Sequence, residues 1–153
     1  MTQERVTGDL GVGIIGCGNI STTYFTLSPL FKGIKVIACA DINPAAAEAR
    51  ASEYGVKAQT IAELLANPEI DIVVNLTIPD AHFPVSKMIL EAGKHVYSEK
   101  PLVLSLEQGE QLRGIATATV LDHEQGQRLK RLEVGAVNDG AAVSLTRDHP
   151  SAS

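Results

Sequence analysis

With 153 residues, 44% of them hydrophobic, the chain can bury one core of ordinary size but hardly two. Its formal net charge of -5 argues against nucleic acid or an anionic membrane as a partner. The small basic cluster of Arg128, Lys130 and Arg131 is typical of a solvated helix face. No apolar run approaches the roughly 18 residues of a membrane helix, and the N-terminal MTQERVTGD lacks the apolar core of a signal peptide, so we expect a cytoplasmic protein.

The chain has two cysteines, Cys17 and Cys39, and both lie in or directly after strand-like apolar segments. Two cysteines are too few for a disulfide framework, and a small soft side chain packs well at such positions. No spacing of His or Cys residues suggests zinc, so we expect no metal site.

Residues 10 to 118 alternate short apolar runs with helical patterns. The strand candidates are four to seven residues long and rich in Val and Ile: GVGIIG, IKVIACA, DIVVNL and HVYSEK. Their almost continuous apolar character is typical of strands that are covered on both faces, as in a parallel sheet.

Helix boundaries between these strands are marked by capping residues. Asn43 followed by Pro44 predicts an N-cap and a first helical residue, and Gly55 suits the left-handed residue that ends that helix. Thr60 and Glu63 have the spacing of a capping box, in which each side chain binds a backbone amide of the other residue.

Two further helices follow. Asp80 begins one that stops at Gly93, and Pro84 is compatible with it only within or next to the first turn. Ser105 and Gln108 fit a second capping box. The order β-α-β-α-(short β)-α-β-α-β-α, with right-handed crossovers, predicts an α/β fold: a doubly wound parallel sheet of Rossmann type with helices on both faces.

The segment VGIIGCGNIS, residues 12–21, runs from a strand into a helix through two glycines. Gly16 permits a tight turn there, and Gly18 lets the backbone approach a pyrophosphate. Free backbone N–H groups at the helix start, beginning with Asn19 and Ile20, would bind the phosphate charge together with the helix dipole. The third glycine of the GxGxxG fingerprint is replaced by Ser21, which is small enough for close packing.

Asp41 supplies a second, independent signal for dinucleotide binding. It stands at the carboxyl end of the second strand, where a carboxylate can accept both ribose hydroxyls of an adenosine. The alternative is a plain partner for a helix dipole, which would not explain the glycines. A carboxylate also repels a 2'-phosphate, so we expect NAD as the cofactor and NADP to be less favoured.

The remaining polar residues follow the third and fourth long strands. Thr77 and Pro79 come after one, and Glu99, Lys100 and Pro101 after the other. Ligands of open α/β sheets bind outside these carboxyl ends. An ammonium at Lys100 can hydrogen-bond a substrate hydroxyl and stabilise the developing alkoxide, with Glu99 setting its position and charge. The alternative for this segment is a solvated turn.

These residues resemble the Gfo/Idh/MocA family, the group of glucose-fructose oxidoreductase, inositol dehydrogenase and rhizopine-catabolism proteins. The resemblance rests on VGIIGCGNIS, ACADINP, EAGKHVYSEKPL and TIPDAHF, in which Ile78 stands between threonine and proline. It covers residues 10 to about 118, the nucleotide-binding half of the family. It implies an NAD(P)-dependent oxidoreductase that acts on a sugar, polyol or related hydroxy compound.

The resemblance also implies roles for individual residues. Lys100 matches the Glu-Lys-Pro lysine that contacts the substrate hydroxyl and the nicotinamide region, and Pro101, often preceded by a cis bond, would fix its direction. Thr77, Pro79 and His82 match the turn that lines the cofactor. With Gly16, Gly18, Asn19, Ile20, Asp41 and Glu99, these residues form the expected cofactor site.

The sequence departs from the family after Ala118, where a substrate domain with an Asp and a His would follow. We expect a polar tail over 1–9, the nucleotide-binding domain over 10–118, and an atypical tail over 119–153, weakly structured or a hairpin around Asn138, Asp139 and Gly140. A prematurely ended or frame-shifted coding sequence would give such a tail. We therefore expect no C-terminal substrate domain and an open sheet edge that favours self-association.

Three hypotheses remain on the sequence alone. The first is an oxidoreductase of this family, truncated or completed by another chain that supplies the substrate wall. The second is a stand-alone NAD-binding module without turnover, and the third is a nonfunctional fragment. The Lys100 position favours enzymatic ancestry, whereas the missing second domain favours the other two.

Overall fold

The computed structural model describes residues 8–122, 132–137 and 140–145. The basic cluster at residues 128–131 and the polar residues 1–7 lie outside the described residues. None of the described helices is both long and apolar enough to cross a membrane.

A five-stranded parallel sheet forms the centre of the fold. Its strands lie in the order β3-β2-β1-β4-β5, and every neighbouring pair is parallel. In chain order they are β1 (Leu10–Ile15), β2 (Ile34–Ala40), β3 (Lys57–Ala58), β4 (Ile72–Asn75) and β5 (His95–Ser98). All four long strands predicted from apolar runs are present, and the parallel arrangement is confirmed.

Five helices connect and follow these strands. They are α1 (Asn19–Leu27), which continues into a short 3-10 turn (Ser28–Leu30), α2 (Pro44–Tyr54), α3 (Ile61–Ala66), α4 (Pro79–Glu91) and α5 (Leu106–Asp122). The predicted caps of α2 and α3 are confirmed: the Asn43 side chain accepts the Ala45 N–H at 3.1 Å, and Thr60 and Glu63 form the reciprocal capping box. Gly55 ends α2 with a left-handed φ of 70°.

The two later helices differ in detail from the prediction. Helix α4 begins at Pro79 rather than Asp80, which places Pro84 in the second turn of the helix. Pro84 is exposed, and Asp80, whose carbonyl loses its helical partner at Pro84, is exposed as well. In front of α5, Ser105 Oγ accepts the Gln108 N–H at 3.2 Å, but the Gln108 side chain accepts the Leu104 N–H rather than that of Ser105.

Both faces of the sheet are covered. On one face, Ile15 and Val73 pack with Leu64 of α3 and with Ile89 of α4 in a buried cluster that Leu112 of α5 completes. Successive strand residues point to opposite faces. A second cluster lies accordingly on the other face and includes Ile14 and Val74 of the sheet, Phe25 of α1 and Ala47 of α2. The chain therefore has the predicted doubly wound fold.

Two further strands follow α5 in sequence. They are β6 (Leu132–Val137) and β7 (Gly140–Leu145), which pair antiparallel as a separate two-stranded sheet. Strand β5 forms one edge of the five-stranded sheet within the described residues. Self-association through such an edge stays a prediction.

Candidate functional site

The predicted site residues lie together at the carboxyl ends of the parallel strands β1, β2, β4 and β5. Backbone hydrogen bonds hold these strand ends side by side. They join Gly16 N–H to Ala40 O (2.9 Å), Leu76 N–H to Ile15 O (2.8 Å) and Glu99 N–H to Asn75 O (3.1 Å). The chain leaves β1 towards α1 on one face and leaves β4 towards α4 on the other. A crevice between β1 and β4 at such a switch point is where ligands of open α/β sheets bind.

Gly16 turns the chain at the end of β1. Its φ is +104°, a conformation that side chains rarely adopt, and a Cβ there would lie 2.5 Å from the carbonyl carbon of Leu76 and 2.8 Å from the nitrogen of Thr77. The backbone of the loop after β4 therefore occupies the space beside Gly16. The tight turn needs glycine for two reasons, conformation and close approach.

Gly18 lies in a different environment. It is the N-cap of α1, it is exposed, and no atom of the described residues lies within 4 Å of the position that a Cβ would take. Ser21, at the third position of the fingerprint, is fully buried, and its hydroxyl donates to the Gly18 carbonyl at 2.6 Å. The small side chain thus fits as predicted, and the surface in front of Gly18 is open.

The N-terminus of α1 has no side-chain cap among the described residues and no acidic residue in its first turn. Helices α2 and α3 differ, because Asn43 and Thr60 bind their first-turn N–H groups. Asn19 and Ile20, at the start of α1, are exposed. Unpaired N–H groups and the positive end of a helix dipole favour an anion at such a position.

Asp41 lies beside this turn, at the end of β2. Its Oδ2 accepts the Cys17 N–H at 2.8 Å, and its Oδ1 accepts the Asn43 N–H at 2.8 Å. The carboxylate therefore joins the glycine turn to the start of α2. Each oxygen has a second lone pair, so the half-buried group can still accept ribose hydroxyls. The neighbouring Ile42 is 92% exposed and adds apolar surface at the same edge.

A buried polar network shapes the turn after β4. Asn75 is completely buried, and its amide donates to the His82 carbonyl and to Ser86 Oγ, each at 3.0 Å. Its Oδ1 accepts the Thr77 hydroxyl at 2.6 Å and the Thr77 N–H at 3.2 Å. Thr77 is therefore fixed at the crevice, and Pro79 lies exposed at the first position of α4.

His82 is buried, with 2% of its surface exposed. One ring nitrogen, Nε2, lies 2.7 Å from the Thr77 carbonyl oxygen, and the other, Nδ1, lies 2.6 Å from the Pro101 carbonyl oxygen. The ring thus lies between the loops that follow β4 and β5. Any effect of His82 on a bound cofactor would pass through these loops.

The segment after β5 carries Glu99, Lys100 and Pro101. The peptide bond between Lys100 and Pro101 is cis, as the family resemblance implies. The Glu99 carboxylate accepts a hydrogen bond from the hydroxyl of Tyr24 on α1, rather than pairing with Lys100. Lys100 is exposed, and its ammonium has no partner within the described residues, so it is available to a ligand.

Tyr24 has a raised pKa because its hydroxyl is partly buried and donates to Glu99. The folded chain therefore keeps this proton above pH 10.0, the ordinary pKa, where the unfolded chain releases it. The resulting stabilisation is fully present below that pH and is lost as the pH rises above it. We expect the free energy of unfolding, measured in urea between about pH 9 and pH 11, to fall more steeply for the wild type than for Tyr24→Phe.

Lys94 also titrates in this pH range, but its contribution to the pH dependence of stability is the same in the wild type and in Tyr24→Phe, so it cancels in the comparison. Its lowered pKa would by itself make stability rise with pH, since desolvation disfavours its charged form. Parallel pH curves for the wild type and Tyr24→Phe would contradict the assigned role of the Tyr24 hydroxyl.

Three residues of this site carry no motif signal that the sequence analysis used: Tyr24, Asn75 and Ser86. Asn75 has a local signal, a polar residue at the end of the otherwise apolar segment DIVVNL. Tyr24 has none, because its partner Glu99 is 75 positions away. Among the described residues no cluster of His, Cys, Asp or Glu could hold a metal ion, and both cysteines are buried and unpaired.

Comparison with known proteins gives consistent matches to one group of oxidoreductases. Inositol 2-dehydrogenase of Rhizobium meliloti is 35% identical over 96 residues, which are 63% of this chain and 29% of the relative. The crystal structure of GenD2 from gentamicin A biosynthesis, in complex with NAD, has a TM-score of 0.70 and 26% identity, over 76% of this chain and 34% of that chain.

Biliverdin reductase from Synechocystis sp. PCC 6803, in complex with biliverdin and NADP+, has a TM-score of 0.66 and 29% identity, over 72% of this chain and 35% of that chain. The chain thus spans about a third of the length of the relatives it matches. The family model for the Gfo/Idh/MocA oxidoreductases, with an NAD-binding Rossmann fold, matches residues 10–121. The chain belongs to the Gfo/Idh/MocA oxidoreductase family and contains its NAD-binding Rossmann domain.

Proposed function

We propose that this chain binds NAD(H) in the crevice between β1 and β4, as the nucleotide-binding part of an oxidoreductase for a sugar, polyol or related hydroxy compound. One observation carries the proposal: the uncapped N-terminus of α1 opens at Gly18, next to the Asp41 carboxylate. The first feature suits a pyrophosphate, and the second suits the ribose hydroxyls of the adenosine.

At the adenosine end, Asp41 favours NAD over NADP. Its free lone pairs can accept the ribose hydroxyls, and its negative charge would repel a 2'-phosphate. The segment from Asp41 to Pro44 contains no arginine that would compensate. Exposed Ile20 and Ile42 provide apolar surface beside the turn for the rings of the cofactor.

At the other end of the crevice, Lys100 is the candidate catalytic residue. When bound, NAD supplies the acceptor for a hydride from the substrate carbon. The Lys100 ammonium donates a hydrogen bond to the substrate oxygen and stabilises the negative charge that develops there as the hydroxyl proton passes to a base on the opposing wall. Thr77, Pro79 and Pro101 line the same end of the sheet and position the cofactor and Lys100. Glu99 holds the loop that carries Lys100 to Tyr24 of α1. Similarity to an inositol dehydrogenase supports a polyol as substrate.

This chain alone should bind the cofactor without turning over substrate at an enzymatic rate. Orientation of the reactants can lower a barrier by roughly 7–11 kcal/mol, and that requires a second wall opposite Lys100. Lys100 is exposed, and its ammonium forms no ion pair within the described residues. Water in the space opposite Lys100 weakens the electrostatic stabilisation that its ammonium would give to a negative charge in a closed site.

The experiment is NADH formation by the purified chain over a panel of inositols, other polyols and sugars, with Lys100→Ala as the matched variant. We expect turnover far below about 1 per second for both chains. Turnover above that rate in the wild type, lost in Lys100→Ala, would show that the site is complete without a second wall.

A binding module without turnover is the second candidate. The observation that favours it is the same exposure of Lys100. The two candidates differ in what an added domain does: supplied in trans, the substrate domain of a related dehydrogenase restores Lys100-dependent turnover to an oxidoreductase but not to a binding module.

A further inference from the structure

His82 connects the two loops that carry the candidate site residues on this side of the crevice. Its Nε2 is 2.7 Å from the Thr77 carbonyl oxygen in the loop after β4, and its Nδ1 is 2.6 Å from the Pro101 carbonyl oxygen in the loop after β5. Both distances are those of short hydrogen bonds. The ring is therefore bound at both nitrogens, by two acceptors from different parts of the chain.

The number of donors that the two contacts need favours one state of the ring. A carbonyl oxygen only accepts hydrogen bonds, and a neutral imidazole carries one N–H, so it can donate to only one of the two carbonyls. The other nitrogen would then direct a lone pair at a carbonyl oxygen less than 3 Å away. With a proton on each nitrogen, both contacts become charge-assisted hydrogen bonds, which lower the cost of burying the charge.

The two carbonyl acceptors belong to residues at or next to the candidate site, so the His82 ring can fix the positions of site residues. Thr77 lies at the crevice, held by Asn75, and the Pro101 carbonyl lies one residue from Lys100. The backbone of His82 is itself held at the end of β4, because its carbonyl accepts the Asn75 amide at 3.0 Å. The loop after β5 is thus tied to the end of β4 through one imidazole ring.

We propose that His82 is a positioning residue: its ring, protonated on both nitrogens, fixes Lys100 and Thr77 relative to each other and does not itself contact cofactor or substrate. The inference deepens the proposed function, on which the assignment of Lys100 and Thr77 to the site rests. The exposure of His82, 2%, leaves no ring edge at the crevice.

The first test needs no ligand. NMR of the 15N-labelled wild-type chain should show two ring N–H protons for His82, both slow to exchange with water because the ring is buried. The signals are assigned by through-bond correlation in a wild-type chain that is also 13C-labelled, so the assignment does not depend on any variant. A single ring proton, or two that exchange as fast as those of an exposed histidine, would overturn the proposal, whether or not the chain binds NADH.

The second test separates positioning from general support of the core. His82→Phe keeps an aromatic ring but removes both donors, and Ile89→Val is the matched control, because Ile89 is a buried core residue of the same helix whose side chain forms no hydrogen bond with either loop. We expect NADH affinity to fall roughly tenfold in His82→Phe, the order of one lost hydrogen bond, and to stay within about twofold in Ile89→Val.

Equal affinities in two folded variants would overturn the positioning role. If His82→Phe does not fold, the ring-proton measurement on the wild type decides the question alone. If the folded wild type does not bind NADH, the proposed function fails, and the ring-proton result still confirms or overturns the connection between the loops.

Discussion

Replacing Gly16 with alanine should lower the free energy of unfolding by about 3 kcal/mol or more, a large part of the roughly 5–15 kcal/mol by which a typical domain is stable. The turn would hold the new alanine at a φ near +104°, and that conformation costs a non-glycine residue of order 1–3 kcal/mol. It would also lie 2.5–2.8 Å from backbone atoms of Leu76 and Thr77, so the loop after β4 would have to move. Urea denaturation followed by circular dichroism measures the loss.

Gly18→Ala is the matched control for this experiment. Gly18 has a φ of -75°, and nothing in the described residues lies within 4 Å of its virtual Cβ. Alanine is a poorer N-cap than glycine by a modest amount, so the expected loss is within about 1 kcal/mol. Equal losses in the two variants would contradict the account of the turn.

Replacing Asp41 with alanine should weaken NADH binding by about 10- to 100-fold and remove the preference for NADH over NADPH. Each charge-assisted hydrogen bond from a ribose hydroxyl contributes roughly 1.5–3 kcal/mol, and a tenfold change corresponds to about 1.4 kcal/mol. NADPH binding should fall less, because the repulsion between the carboxylate and the 2'-phosphate is lost at the same time. Calorimetric titration with the two cofactors gives the ratio directly.

The ratio of affinities is the informative quantity here. Asp41 also holds the Cys17 and Asn43 backbone amides, so its removal disturbs the turn for either cofactor equally. Asp80→Ala, which removes an exposed carboxylate from the first turn of α4, controls for net charge and should leave the ratio unchanged. Tighter binding of NADPH than of NADH by the wild type would show that Asp41 does not select the cofactor.

The elements of this fold could be predicted because their signals are local. A cap such as Thr60 with Glu63 acts over three residues, and a strand such as β2 is a single apolar run. The turn at Gly16 likewise follows from its position between a strand and a helix. What the sequence could not show is that the backbone of Leu76 and Thr77 also requires glycine there, since that contact joins distant segments.

The supporting contacts of the site were the part that sequence reasoning missed. Glu99 was expected to act on its neighbour Lys100, but its carboxylate binds Tyr24, which lies on another helix. His82 shows the same limit: a histidine in the first helical turns has no sequence feature that reveals two carbonyl partners. Such contacts depend on how the loops after β4 and β5 pack together, which no local pattern encodes.

Titration of the purified wild-type chain with NADH tests the central claim most directly, because binding at the Gly18 and Asp41 crevice requires no second domain. We predict saturable binding of one NADH per chain, observed by calorimetry on a sample that circular dichroism shows to be folded. A folded chain that gives no saturable binding would contradict the assignment of the glycine turn and Asp41 as a dinucleotide site.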